Sequence, residues 1–338
     1  MTGRSSSRRT FLKVAGGAAA AAVGGGAVAS QAVAQSSPDA AWSEASSPTS
    51  KSITSVVQTA DGPHAVGSSG NVLALVDGEW RLVVDSGPSA SNNPLNDVAV
   101  TSDGERIWFA GGSGAMGAYD VETGKKYDYT APDGKTSTWE AIAATGAIDR
   151  EHVIVANGSG EVLHGVFEEN DEGAYCIQWG DVVKPAGGST IPGVAFSRGD
   201  TDTAYGISTS QAAFETTDYN QTWTKIGVSN ANESFYDVLG DDDVVYVSAG
   251  GGTIYRYDCG CRGWTPVDVG ENALQGLDRL GPAEPVLAAG NGGYVYERTG
   301  DGWQEYDTPV GSDIYDVAYG GDGGPDVAVG SGGTILER

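Results

Sequence analysis

One short glycine-rich turn recurs seven times, and it constrains the fold more than any other feature of the chain. The copies are Ala65-Val-Gly-Ser-Ser-Gly-Asn-Val72, Phe109-Ala-Gly-Gly-Ser-Gly-Ala-Met116, Val155-Ala-Asn-Gly-Ser-Gly-Glu-Val162 and Tyr205-Gly-Ile-Ser-Thr-Ser-Gln-Ala212, followed by Val247-Ser-Ala-Gly-Gly-Gly-Thr-Ile254, Ala288-Ala-Gly-Asn-Gly-Gly-Tyr-Val295 and Ala328-Val-Gly-Ser-Gly-Gly-Thr-Ile335. Six have glycine at the sixth position (Gly70, Gly114, Gly160, Gly252, Gly293, Gly333), where a hairpin needs positive φ; the copy at Ser210 is degenerate. The last copy shows the setting most clearly. An apolar run from Ile314 to Tyr319, a Gly/Asp/Pro turn, Val327–Val329, the glycine turn and Thr334–Glu337 follow one another. Strand, turn, strand, turn, strand is an antiparallel meander.

A fourth strand follows in each unit, opened by an aromatic residue. The anchors are Trp42, Trp80, Tyr127, Tyr175, Trp223, Trp264 and Trp303, at steps of 38, 47, 48, 48, 41 and 39 residues. That period belongs to propeller blades. First strands begin near Ile53, Leu95, Trp139, Ile191, Phe235, Leu274 and Ile314, giving units 53–87, 95–132, 139–185, 191–228, 235–269 and 274–310. The seventh unit ends at Arg338 after three strands, and residues about 40–47 are expected to supply its fourth. Closing the ring in this way removes an exposed sheet edge. The expected fold is all-β: a seven-bladed β-propeller of four-stranded antiparallel blades over 53–338, its last blade closed by an N-terminal strand. The tryptophans and tyrosines are expected to fill the wedges between blades.

The first 34 residues read as an export signal. Ser7-Arg8-Arg9-Thr10-Phe11-Leu12-Lys13 is a twin-arginine motif, followed by an Ala/Gly-rich run and small residues at Ala32-Val33-Ala34 suited to cleavage. The run is short and weakly apolar for a stable span, so no transmembrane segment is expected in the mature chain. Residues 35–52 form a Ser/Pro/Ala-rich linker that carries the closing strand. The full chain has 19 Lys+Arg against 45 Asp+Glu and a net charge of −26; without its four-cation leader it would sit near −30. Such a charge excludes nucleic acid and anionic membrane as partners. The acids are scattered through turns, as on a hydrated surface adapted to concentrated salt.

Thr216-Thr-Asp-Tyr-Asn-Gln-Thr-Trp223 is similar to the Asp-box of BNR-type propellers, with Asn220 in place of the usual glycine. The phrase Ile314-Tyr-Asp-Val-Ala-Tyr with Ala328–Leu336 resembles the repeats of BNR-like photosystem II assembly-and-stability factors, which are related in pattern to WD40/YVTN propellers. The resemblance covers Trp42–Arg338 and implies a non-enzymatic scaffold. Asp-boxes also occur in sialidases. That likeness implies a rival function, glycan binding or sialidase-like glycoside hydrolysis, which would need an arginine cluster and a Tyr–Glu nucleophile pair.

Other chemistry is weakly supported. His64, His152 and His164 lack zinc spacing and read as structural. The glycine turns lack the Lys-Ser/Thr of a phosphate loop, and no nucleophile elbow is present. No metal site or cofactor is expected. Asp241-Asp242-Asp243 and Gly320–Asp326 read as solvated turns. Cys259 and Cys261 form a candidate disulfide, and Cys176 an odd thiol. Asn157, Asn220 and Asn232 head glycosylation sequons and are expected to be exposed.

Propellers bind ligands over the central channel, so the residue after the lead position of each first strand nominates a ring: Thr54, Asn96, Glu140, Pro192, Tyr236, Gln275 and Tyr315. Of these, Asn96, Glu140, Tyr236, Gln275 and Tyr315 are the candidate partner-binding residues. Asp97, Asp237 and Asp316 follow one residue later, a repetition that suggests a shared turn or strand-end hydrogen bond. The expected function is an exported, monomeric, non-catalytic scaffold for a protein or glycan partner at the cell surface.

Overall fold

The computed structural model describes residues 41–169, 175–198, 201–241, 243–281, 285–300, 302–320 and 324–338. The expected signal and the start of the linker lie outside these residues. Short β-prone runs separated by Gly-, Asp- and Asn-rich turns form strands throughout, and the strands pair as seven four-stranded antiparallel sheets. Their innermost strands are Ile53–Thr59, Leu95–Val100, Trp139–Thr145, Gly193–Phe196, Phe235–Gly240, Leu274–Arg279 and Ile314–Ala318. Each packs against the next, and the seventh packs against the first. The sheets are therefore blades around a closed ring, numbered here from Ile53.

The core lies in the wedges between blades. Trp108 and Met116 of blade 2 pack against Trp139, Ile142 and Leu163 of blade 3, and comparable apolar clusters fill the other seams. The aromatic anchors sit in these clusters as expected: Trp42, Trp80, Tyr127, Trp223, Trp264 and Trp303 each join one.

The recurring glycine turn ties blades to their linkers. All six glycines at the sixth position have φ between 71° and 84°. At Gly333 a side chain would meet a second obstacle, since a Cβ there would lie 2.1 Å from the Thr49 carbonyl oxygen. The backbone N–H just after the second strand also donates to a carbonyl shortly before the same blade's first strand. Ser68 bonds Ser52, Gly112 bonds Pro94, Asn291 bonds Ala273 and Ser331 bonds Asp313 at 2.8–3.0 Å. The repeat thus encodes a main-chain clamp as well as a hairpin.

Closure follows the expectation. Ser43–Glu44 adds antiparallel to Ile335–Glu337, pairing Ser43 with Glu337 and Glu44 with Leu336. Trp42 is only 4% exposed and packs with Ile314, Leu336 and Tyr306. Across the seam, Trp80 Nε1 donates to Glu337 Oε1 at 2.8 Å, locking blade 1 to blade 7.

The Asp-box is a folded turn held by its own side chains. Asp218 accepts from Thr216 Oγ1 (2.8 Å), Thr222 Oγ1 (2.6 Å) and the Thr222 amide (2.8 Å). Asn220 has φ 85°, which explains how it replaces glycine, and its Oδ1 accepts from Trp223 Nε1.

Several expectations need correction. Cys259 and Cys261 are free thiols: Cys259 packs near the Tyr205 hydroxyl and the Asp241 carbonyl, while Cys261 is exposed. Asn157 and Asn220 are buried, not exposed. Asn157 Nδ2 donates to Glu161 and Asn220 Nδ2 to the Val162 carbonyl, so neither amide is available to a glycosyltransferase in the folded state. Asn232 alone of the three is exposed. Asp241 and Asp326, placed in solvated turns from sequence, are both buried and face arginines.

Candidate binding site at the channel mouth

A local irregularity builds the site. The first and second strands of six blades slip register at the start: between Ile53 and Ser55, Leu95 and Asp97, Trp139 and Ala141, Phe235 and Val238, Leu274 and Gly276, and Ile314 and Asp316. A β-bulge re-aims side chains. The lead and fourth residues are buried, the second residues line the channel mouth, and Ser55, Asp97, Asp237, Gly276 and Asp316 line it one residue further on.

The second residues form the mouth. Thr54, Asn96, Glu140, Pro192, Tyr236, Gln275 and Tyr315 together line one cavity of about 310 Å³, with Ser55, Asp97, Asp237, Gly276 and Asp316 beneath them. The ring nominated from register therefore surrounds one cavity. Its members differ in how free they are. Thr54 Oγ1 donates to the Leu95 carbonyl at 2.7 Å and Asn96 Nδ2 to the Trp139 carbonyl at 2.9 Å, so both tie neighbouring blades. Gln275 Nε2 donates to Asn291 Oδ1 at 3.0 Å. Among the described residues, the Glu140 carboxyl and the Tyr236 and Tyr315 hydroxyls have no hydrogen-bond partner. Burial raises the Glu140 carboxyl above the ordinary range.

The third residues form a waist below the mouth. The aspartates do make strand hydrogen bonds, but the bonds cross blade seams. Asp97 Oδ2 accepts the Ile142 amide of blade 3, Asp237 Oδ2 the Leu277 amide of blade 6, and Asp316 Oδ2 the Val56 amide of blade 1, each at 2.8 Å. Their other oxygens accept the amides of Val98, Val238 and Val317. Ser55 Oγ bridges Asp97 and Asp316 at 2.9 and 2.8 Å. Ser55, Ala141, Gly193 and Gly276 hold the other third places, and Gly276 is required: a Cβ there would lie 2.6 Å from Asp316 Cα.

Enclosure of three carboxyls at one waist disfavours their ionised forms. Burial pushes Asp97 up to about 6, against the relief given by its hydrogen bonds. Asp237 is raised by burial and by the charge of Asp97, and Asp316 by burial and by the charges of Asp237 and Asp97. Below the waist the channel opens into a second cavity of about 390 Å³, where Arg198 pairs with Asp278 at 2.9 Å.

The histidines lie away from this site. His64 is buried; His152 Nδ1 and His164 Nε2 are 3.1 Å apart, and Tyr219 stacks on His152 at 4.2 Å. Among the described residues, no group of three or more His, Cys, Asp or Glu side chains could hold a metal ion, and no helix is long and apolar enough to cross a membrane.

Comparison with known proteins bears on the fold alone. No protein-family profile matches the chain, and no curated protein sequence matches it. Solved structures do. The chain is similar to YCF48 bound to a D1 peptide (TM-score 0.67, 16% identity, covering 88% of this chain and 94% of that one). It is also similar to YCF48 from Cyanidioschyzon merolae (0.65, 16%, 88% and 98%) and to the WD40 β-propeller domain of Doa1 (0.65, 14%, 88% and 96%). This chain is a seven-bladed β-propeller. These neighbours agree in architecture with the resemblance carried by the repeats.

Proposed function

We propose that this propeller is an exported, non-catalytic scaffold that binds a protein partner at the channel mouth and aids assembly at the cell surface. The observation that carries this reading is the ring: seven side chains, one from each blade, surround a single cavity, and its tyrosines and glutamate are not used by the fold. Aromatic residues with a free polar tip are favoured in recognition surfaces. One structural neighbour is described with a bound peptide, which supports a protein ligand. Export rests on the twin-arginine motif, and the acidic surface suits a salty exterior.

The test is site-specific photo-crosslinking from position 275 in native surface extract at high salt, with the captured protein then purified. Tyr236→Ala with Tyr315→Ala should weaken its binding by about 1–3 kcal/mol while leaving melting nearly unchanged. Binding indifferent to both changes would move the site off this face.

Glu140 favours a second reading, glycan binding or glycoside hydrolysis, because a raised carboxyl in a cavity suits a general acid. Sugar release from surface glycans, abolished by Glu140→Gln, would replace the scaffold reading.

A further inference from the structure

The half-buried acids at the channel waist are partnered differently from the most deeply buried acids of this molecule. Among the described residues, the buried carboxylates are Asp120, Glu151, Asp241, Glu297 and Asp326. Each faces an arginine: Arg106 serves Asp120 and Glu151 at 2.6 Å, Arg338 serves Glu297 and Asp326 at 2.8 and 2.7 Å, and Arg279 lies 3.4 Å from Asp241. Asp97, Asp237 and Asp316 have backbone amides and Ser55 as partners, and among the described residues no lysine, arginine or histidine lines the cavity above them. Glu140 adds a fourth carboxyl at the mouth without a partner of its own. The waist carboxyls thus lack the arginine that each of those buried acids has, and Arg198 and Arg279 in the cavity below are paired with Asp278 and Asp241.

The shape of the cavity says what would fit. At about 310 Å³ it lies at the small end of ligand pockets, roughly 300–1,000 Å³, with room for one extended side chain rather than a folded segment. Its walls include Tyr236 and Tyr315, whose rings attract cations, and the stem of a lysine or arginine packs well on such surfaces. The waist lies one strand residue below the mouth, about 3.3 Å, within reach of a long side chain.

We propose that the channel mouth is a socket for the lysine or arginine side chain of a protein partner, which threads between Tyr236 and Tyr315 and brings its charge to Asp97, Asp237 and Asp316. This rests on the protein-binding reading and names the chemistry that the site selects. The bound cation replaces the protons that the enclosed carboxyls otherwise retain, so binding near pH 6 releases protons to solvent. Net negative charge on the whole chain draws a basic segment toward the socket and makes the approach salt-sensitive.

The probe is a blocked tripeptide, acetyl-Gly-Lys-Gly-amide, compared with its arginine and Nε-acetyl-lysine counterparts. Binding is followed through the Gln275 side-chain amide signals in nitrogen–proton NMR spectra of the full chain. The lysine and arginine peptides should bind at least tenfold more tightly than the acetylated one, and calorimetry in two buffers should show proton release. Glu140→Gln, which has no hydrogen bond to lose, should weaken lysine binding severalfold. Asp237→Asn with Asp316→Asn should weaken it at least tenfold without changing the acetyl-lysine result, and the melting curve of each variant checks that the fold is intact. Equal binding of lysine and acetyl-lysine would overturn the socket, as would calcium chloride occupying the cavity and excluding the peptides. If the crosslinked protein partner is found but lysine peptides do not bind, the socket fails and the scaffold reading stands. If lysine peptides bind and no protein crosslinks, the scaffold reading fails instead.

Discussion

Arg106 and the channel waist show two ways of enclosing carboxylates in one propeller. Between blades 2 and 3, Arg106 reaches Asp120 (2.6 Å), Glu151 (2.6 Å) and Asp149 (3.1 Å), and its guanidinium lies over the Tyr127 and Phe167 rings. The group is complete within the chain. Arg338 completes a similar group with Glu297 and Asp326, joined by the hydroxyls of Tyr306 and Tyr319 at 2.8 Å. At the waist, amides and Ser55 satisfy the carboxylates, but no arginine or lysine is paired with them. The comparison separates acids that hold blades together from acids that leave a charge to be met from outside.

The largest effect should come from breaking a complete group. Arg106→Met would leave Asp120 and Glu151 buried without a counter-charge, and about 3–5 kcal/mol of stability should be lost in denaturant titration. A comparable loss, about 3–5 kcal/mol, is expected for Trp42→Ala, which empties the wedge closing blade 7. If either change left the midpoint unmoved, the role given to that group would be wrong.

The waist should respond mainly to pH. Asp97 holds its proton more tightly in the folded than in the unfolded chain. Its linkage therefore stabilises the fold fully below the ordinary value of 3.8 and is lost as pH rises through about 6. Burial lowers His64, His152 and His164, which acts in the opposite sense: their contribution is lost as pH falls below the ordinary 6.5. The contrast between the native chain and Asp97→Asn cancels the histidines. In that contrast, the native chain should lose melting temperature relative to the variant between about pH 4 and 6.5, the span from the ordinary to the raised value. A constant difference across that window would remove the claim that the waist retains protons.

Salt should act on the whole surface. At 0.01 M the screening length is about 30 Å, and charges spread around an acidic ring repel one another over that distance. Melting temperature should rise from low to molar salt, and a flat response would remove the argument for salt adaptation. The smallest effect belongs to the mouth: Tyr236→Ala with Tyr315→Ala should change stability by less than about 0.5 kcal/mol per site, because neither hydroxyl bonds to the fold.

The blade count, the closing strand and the mouth ring were legible in the sequence, because all three follow from periodicity. The glycine turn marks every blade, Trp42 carries the same aromatic signal as Trp80, and counting from each lead residue reaches Tyr236 and Tyr315. The waist was only half legible. The aspartates repeat visibly, but a strict two-residue alternation places Asp97 and Asn96 on opposite faces, and only the bulge turns both into the channel. Partners one blade away were also missed. Asp97 bonds Ile142 and Asp237 bonds Leu277, 45 and 40 residues on, and Arg106 bonds Glu151 at a separation of 45. Pairing each acid with residues one period later would have suggested these bonds. The buried sequons at Asn157 and Asn220 escaped for another reason: a turn residue can lie at a loop and still direct its amide inward.

The most direct measurement of the central claim is a carbon-13 carboxyl NMR titration of the free protein, repeated with saturating acetyl-Gly-Lys-Gly-amide. Asp97 should titrate near 6, with Asp237 and Asp316 also displaced upward, and all three should move down when the peptide is bound. Three carboxyls titrating near the ordinary value of 3.8 and indifferent to the peptide would contradict an uncompensated waist awaiting a cationic partner.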